Sequence, residues 1–170
     1  MDDLKIRQAN DSDKQAIWEI NIKAWDGCTN SELLEARHGV IDGKGWRQRI
    51  AESIAKSMSR ESVTTFVAEV NGSVVGYAEA MMDRHPSSEV GVIGHNAVAP
   101  EYRRRGIGAA LVARVIELLT GRGARVLKVI TLLSDEPVRR IYENLGFTEF
   151  TRMIYYSRET EPVTPQSSPN

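Results

Sequence analysis

Three consecutive arginines, Arg103, Arg104 and Arg105, run directly into Gly106-Ile107-Gly108. An apolar run, residues 90–98, precedes them and ends at the break Ala99-Pro100-Glu101. Behind them Ile107, Leu111, Val115, Leu118 and Leu119 recur at helical spacing. A strand, a glycine-containing turn and a helix, in that order, present the backbone N–H groups that open a helix. Those groups and the positive end of the helix dipole attract phosphate oxygens. Glycine lets a pyrophosphate reach the backbone where a side chain would hold it off, and arginine forks suit phosphate geometry. The stretch therefore reads as an anion site for a phosphorylated cofactor. It is neither of two common phosphate motifs. Leu111 stands where a dinucleotide fingerprint has its third glycine, and no Gly-Lys-Ser/Thr follows. A solvated arginine run ahead of an ordinary helix is the plain alternative.

The rest of the composition narrows the classes. The chain has 170 residues, 41% hydrophobic and 26% charged, which fits one soluble globular domain with a real core. A net charge of −1 supplies no basic field for nucleic acid. No apolar run reaches the ~20 residues that span a bilayer, and Met-Asp-Asp-Leu-Lys at the start lacks an apolar signal region. A cytoplasmic location is expected, and a single cysteine, Cys28, agrees with a reducing compartment. His38, His85 and His95 lack metal-ligand spacing, so no metal site is expected.

The elements that must position the site can be read in order. Residues 4–9 form a short strand, and Asn10-Asp11-Ser12-Asp13 starts a helix. That helix carries two apolar stripes, Ile17/Ile20/Ala24 and Trp18/Ile22/Trp25, so more than one side should be covered. Residues 26–45 are loop-like, with a weak helix at 31–37. A helix at 46–57 follows, then strands at 64–70 and 74–81 joined by Asn71-Gly72, the strongest hairpin signal in the chain. Residues 83–88 turn into the strand at 90–98 and the helix from Ile107, which Gly121-Arg122-Gly123 stops. A strand is expected at 126–133. Asp135 is expected to cap a helix whose core face is Val138, Ile141, Tyr142 and Leu145. Residues 147–157 read as one strand or a tight pair. The prolines of 159–170 read as a disordered tail after a domain covering 1–158. The order is β-α-α-β-β-β-α-β-α-β, a mixed α/β sheet with helices on both faces.

Arg103-Arg104-Arg105-Gly106-Ile107-Gly108, with its lead-in Ala97 to Tyr102, resembles the Arg/Gln-x-x-Gly-x-Gly/Ala signature of the GNAT superfamily of acetyl-CoA-dependent N-acetyltransferases. Ile141-Tyr142-Glu143-Asn144-Leu145-Gly146-Phe147 resembles the family's aliphatic-Tyr-x-x-x-Gly-Phe element. The resemblance covers residues 4–158 and implies the GNAT fold: a mostly antiparallel sheet with a splayed parallel strand pair and helices on both faces. It implies acetyl transfer from acetyl-CoA, a cosubstrate, to a primary amine of a small molecule or peptide by direct attack. A non-catalytic acyl-CoA-binding module on the same fold is the alternative. Homodimers are common in the family, and a final hairpin shortened or completed by a partner chain would fit the few residues left after the last helix.

The resemblance also implies site residues. The backbone of Asn96, Ala97 and Val98 would pair with the pantetheine arm. The amides of Arg104, Arg105, Gly106, Ile107, Gly108 and Ala109 would take the pyrophosphate. Arg103 fills the first signature position, and Arg104 or Arg105 either reaches the ribose phosphate or faces solvent. Tyr142 matches the family tyrosine that protonates the leaving thiolate, with a core aromatic as the plain alternative. Asp135 stands where the family often has an asparagine on the pantetheine. The base stays open, because the strand glutamate of some members is replaced by Val92. Glu79, acting through water or serving as a surface partner, is one candidate. Bulk water is another, and so are His95 and Asn96. Strand alternation puts Val92, Gly94, Asn96 and Val98 on one face and Ile93, His95 and Ala97 on the other, which turns His95 away from the acetyl group. Substrate selection would fall to the first helices and their loop. Trp25, Asp26 and Trp46 are the candidates there, with Glu32 and Glu35 as carboxylates for a cationic amine. Trp25 and Trp46 as pins between helices and sheet are the plain reading.

Overall fold

A computed structural model of the chain describes residues 3–25, 27, 29–83 and 89–159. The expectations placed on Asp26, Cys28, His85 and residues 160–170 lie outside them. Five strands form one sheet in sequence order: β1 (Leu4–Gln8), β2 (Val63–Val70), β3 (Ser73–Asp83), β4 (Val90–Val98) and β5 (Val126–Lys128). The first four are antiparallel neighbours, and β4 and β5 run parallel. The β2–β3 turn puts Asn71 at φ 51° and Gly72 at φ 81°, the left-handed pair that matches strand twist in a two-residue hairpin.

Helices α1 (Lys14–Ala24) and α3 (Trp46–Met58) cover one face, with α2 (Asn30–His38) leaning on α3. Helix α4 (Ile107–Gly121) covers the other face, joined there by α5 (Glu136–Asn144). Asn10 closes a capping box before α1: its side chain accepts from the Ser12 amide and Asp13 accepts from the Asn10 amide. Ile17, Ile20 and Ala24 bury with Ile54, Val67 and Tyr77. Leu111, Val112, Val115 and Leu119 of α4 bury with Phe66, Ala78, Ala80 and Ile93. Each large side chain removed from water there contributes about 1.5–3 kcal/mol. No described helix is long and apolar enough to cross a membrane.

Three expectations change. The alternation read along β4 holds from His95 to Val98 but breaks before it, because the β3–β4 register jumps from Ala78↔Asn96 to Ala80↔Ile93. Two residues, Gly94 and His95, stand opposite Glu79 alone. The bulge reverses the strand's phase, so Ile93 and Val98 both pack toward α4 while Ala97 packs toward α1. The strand expected at 126–133 stops at Lys128. Beyond the bulge β4 bends away and β5 loses its partner past Val92↔Lys128, leaving Ile130 and Leu133 exposed. No strand forms at 147–157. An edge strand three residues long offers little ladder for a hairpin to join, and Phe150, Met153, Ile154, Tyr155 and Tyr156 lie exposed. Ser157 and Glu159 instead meet the imidazole of His38 at the end of α2.

Candidate active site

The splay of β4 from β5 leaves the β4 edge from Ile93 to Val98 without its parallel neighbour. The chain then makes a 3₁₀ turn at Pro100–Tyr102 and enters α4. Arg104 and Gly106 take left-handed backbone, φ 62° and 78°. Alternating hands of this kind turn successive N–H groups toward one point, a concavity that suits an anion. The first bond of α4 runs from the Ala110 amide to the Gly106 carbonyl at 3.0 Å. The amides of Ile107, Gly108 and Ala109 therefore belong to the opening turn of the helix. The space above Gly106 is open: a Cβ there would meet no heavy atom within 4 Å. Gly108 lies instead against Ile141, where a Cβ would come within 3.4 Å of that side chain.

The arginines divide the work. Arg103 turns back into the protein, its Nε donating to the Val98 carbonyl at 3.2 Å and Nη2 to the Ala24 carbonyl. It ties the end of α1 to the end of β4. Arg105 stacks over Tyr102 at 5.1 Å and donates to the Glu101 carbonyl at 3.3 Å. Arg104 is exposed beside the turn.

Tyr142 is buried on α5, and its ring meets Phe147 edge-on at 5.9 Å. The Asn96 amide donates to the phenol oxygen at 3.1 Å and to the Gly94 carbonyl at 3.1 Å. The phenol's pKa is raised, chiefly by burial. The Asn96 bond opposes the shift and the nearby Asp135 charge adds to it. Because its oxygen accepts from Asn96, its own proton remains available to another acceptor. Asp135 takes the helix-cap position of α5, its carboxyl near the Val138 amide but short of a well-formed capping bond. Burial raises its carboxyl, against the Val138 amide and the charge of Arg103.

Across the sheet lies a cavity of about 250 Å³ lined by Trp25, Thr29, Asn30, Ser31, Arg49, Ile50, Ser53 and His95. Trp25 donates through Nε1 to Asn21 at 2.9 Å and sets its ring edge-on to His95 at 6.5 Å. Glu79 is no surface residue: it is fully buried, and its Oε2 lies 2.9 Å from His95 Nδ1 and 3.1 Å from Ser57 Oγ. Trp46 is buried at the start of α3 beneath Arg47 and does not line the cavity. Glu32 accepts from the Gly27 amide, and Glu35 is paired with Arg49. Among the described residues no His/Cys/Asp/Glu cluster could hold a metal.

Thus β4 carries two neighbouring side chains to opposite faces, His95 toward the cavity and Asn96 toward Tyr142. Sequence reading missed Asn21, Ser57 and Arg49. It also missed the bulge, whose one signal was an isolated glycine, Gly94, inside a strand pattern.

The comparisons agree with this geometry. The family model described as Acetyltransferase (GNAT) family matches residues 18–147. An uncharacterized N-acetyltransferase of Methanocaldococcus jannaschii is 34% identical over 95 residues, 54% of this chain and 42% of that protein. The chain thus spans under half of that relative's length. The structure of aminoglycoside N-acetyltransferase AAC(6')-Iy in complex with CoA superposes with a TM-score of 0.66 at 22% identity, covering 94% of this chain and 97% of that one. The ribosomal-protein-S18-alanine N-acetyltransferase of Escherichia coli gives 0.63 at 23% identity, covering 87% and 79%. At such identities the two structures speak for the fold alone. The chain belongs to the GNAT acetyltransferase family.

Proposed function

We propose that this chain moves an acetyl group from acetyl-CoA to a primary amine of a small molecule or peptide by direct attack. The observation that carries the reading is the open β4 edge running straight into the left-handed turn and the first amides of α4. The backbone of Asn96, Ala97 and Val98 would pair with the pantetheine arm, and the amides of 104–109 would hold the pyrophosphate. Arg103 keeps that edge in place through the Val98 carbonyl rather than touching phosphate. Tyr142, with its proton retained by burial, gives that proton to the departing sulfur. The acceptor amine enters from the cavity beside Trp25 and His95. The neighbours named above pair CoA with an aminoglycoside enzyme and with an enzyme named for a protein's alanine, which supports both small-molecule and peptide amines as acceptor classes.

The test has two parts. Millimolar acetyl-CoA should raise the melting temperature, and Gly106→Asp, which sets a carboxylate in the open space of the turn, should erase that rise. Thiol release should then appear with at least one amine among 2-phenylethylamine, an alanine-initiated hexapeptide and kanamycin. No thermal shift would reject the cosubstrate. A shift without thiol release would favour an acyl-CoA-binding module.

A further inference from the structure

We propose that His95 is the base that takes the acceptor's proton, with Glu79 as its positioning residue. The proposal rests on the acetyl-transfer reading above. Glu79 sits in the middle of β3 with no solvent exposure. One oxygen, Oε2, gathers Ser57 Oγ at 3.1 Å, His95 Nδ1 at 2.9 Å and the His95 amide at 3.4 Å. The other, Oε1, is buried with no hydrogen-bond partner. A half-satisfied buried carboxylate is costly, and packing alone gives no reason to keep one. Its position does give a reason. Oε2 accepts from Nδ1, so the proton sits on Nδ1 and the lone pair on Nε2, the far side of the ring. That ring lines the cavity, with its other flank fixed by Trp25.

The backbone is shaped for this contact. The bulge sets both Gly94 and His95 opposite Glu79. A Cβ on Gly94 would lie 3.0 Å from both Cβ and Oε2 of Glu79, so any larger residue would have to push the carboxylate from its place beside the imidazole by roughly a few tenths of an ångström. Among the described residues, two other titratable or charged groups stand close. Tyr77 on β3 has its hydroxyl committed to Asn21 at 2.6 Å, and Arg49 on α3, across the cavity, is held by Glu35. Neither contends for Nε2.

The step balances without further reagents. The acceptor's ammonium passes one proton to Nε2 and on to solvent. The freed nitrogen pair forms the C–N bond, and the C–S pair leaves with sulfur. The proton lost by the new amide nitrogen balances the one sulfur takes from Tyr142. One proton is released per turnover. Base and acid thus belong to neighbouring β4 positions, one reached through His95 and the other through Asn96.

Two measurements decide it, on the full chain. In ¹⁵N spectra of the neutral ring, wild-type His95 should carry its proton on Nδ1, and Glu79→Gln should populate the other tautomer. A wild-type ring protonated on Nε2 would overturn the positioning claim whether or not an acceptor is known. In thiol-release assays with 2-phenylethylamine and the alanine-initiated peptide, His95→Ala should lower kcat ~100-fold. Its KM for acetyl-CoA should hold and the acidic limb of the pH profile should vanish. Added imidazole should restore part of the rate. Unchanged kcat in His95→Ala, with the acetyl-CoA thermal shift intact, would remove His95 from the chemistry while leaving acetyl transfer standing. Loss of the thermal shift in wild type would instead strike the acetyl-transfer reading.

Discussion

The Asn96 side-chain amide donates to the phenol oxygen of Tyr142 at 3.1 Å, linking the open edge of β4 to helix α5. The bond leaves the phenol's own proton pointing elsewhere, on a buried tyrosine beside the path proposed for the thioester. Tyr142→Phe keeps the ring against Phe147 and removes only the hydroxyl. We expect kcat to fall ~100-fold or more with KM for acetyl-CoA unchanged. Burial raises the phenol's pKa, so the proton is present through neutral pH and is lost only as pH climbs above ~10. The alkaline limb of kcat should therefore lie above that value. Asn96 opposes the upward shift, so Asn96→Ala should move the Tyr142 ionisation higher still. A titration of ¹³Cζ-labelled tyrosine would show it. A kcat unaffected by Tyr142→Phe would make this tyrosine a core aromatic only.

Gly94 gives a sharper test of the bulge. Alanine there places a methyl 3.0 Å from Glu79 Cβ and 3.1 Å from Met81 Cε, and Glu79 is held from below by Ser57. The neighbours must move, at a cost of about 1–3 kcal/mol. Gly94→Ala should lower the melting temperature and reduce kcat by more than tenfold, while the thermal shift caused by acetyl-CoA persists. Thermal denaturation and thiol release on the same sample separate the two effects. A variant as stable and active as wild type would mean the Gly94–Glu79 contact does not constrain the site.

Local chemistry made much of this legible. Asn71-Gly72 demanded its hairpin, Asn10 to Asp13 their helix start, and Arg103 to Gly108 their turn before a helix, because each rule acts within a few residues. What lay hidden was relational. Glu79 and His95 meet only because β4 gains a residue opposite β3; strict period-two counting set His95 with Ala97 and opposite Asn96, but it put Ile93 on the wrong face. The apolar run 126–133 looked like a buried strand, yet its length depends on where β4 bends. Residues 147–157 have strand-like composition, but a strand needs an edge to join, and β5 offers three residues.

Asp13 makes stability depend on acid pH. Its carboxylate is buried, takes two bonds from Arg7 at 2.7 and 2.8 Å, and accepts from the Asn10 amide at 2.7 Å. The Arg7 bonds lower its pKa below the usual carboxylate value, against burial. A depressed folded pKa gives stability that is complete above the unfolded value of ~3.9 and is lost as pH falls through the folded one. Arg7 is itself partly exposed and also binds Glu69, so the expected loss in Asp13→Asn is modest, about 1–3 kcal/mol at pH 7. Urea melts at neutral pH and well below pH 4 should show the gap between wild type and variant closing in acid. A gap constant with pH would assign the loss to capping geometry instead of charge.

The cavity's charge bears on the acceptor. Glu32 and Glu35 were expected to draw a cationic amine, but Glu32 is bound to the Gly27 amide and Glu35 to Arg49 at 3.1 Å. Arg49 also donates to the carbonyls of Lys44 at 2.8 Å and Ser31 at 3.3 Å, which fixes it at the junction of α2 and α3. Among the described residues lining the cavity, Arg49 is the charged one; the remainder are Trp25, Ile50, His95 and small polar side chains. A polycation would meet a guanidinium where it needs carboxylates, and like charges brought together in a partly desolvated site cost affinity. A single amine on an apolar or peptide body would meet Trp25 and Ile50 and pay no such penalty. Kanamycin should therefore show a kcat/KM at least tenfold below that of 2-phenylethylamine or the alanine-initiated peptide. Arg49→Gln, which removes the positive charge and loosens Glu35, should narrow that ratio by lowering KM for kanamycin more than for the monoamine. If kanamycin proved the better substrate of wild type, its amines would have to be met by carboxylates outside this lining, and the charge argument would fail.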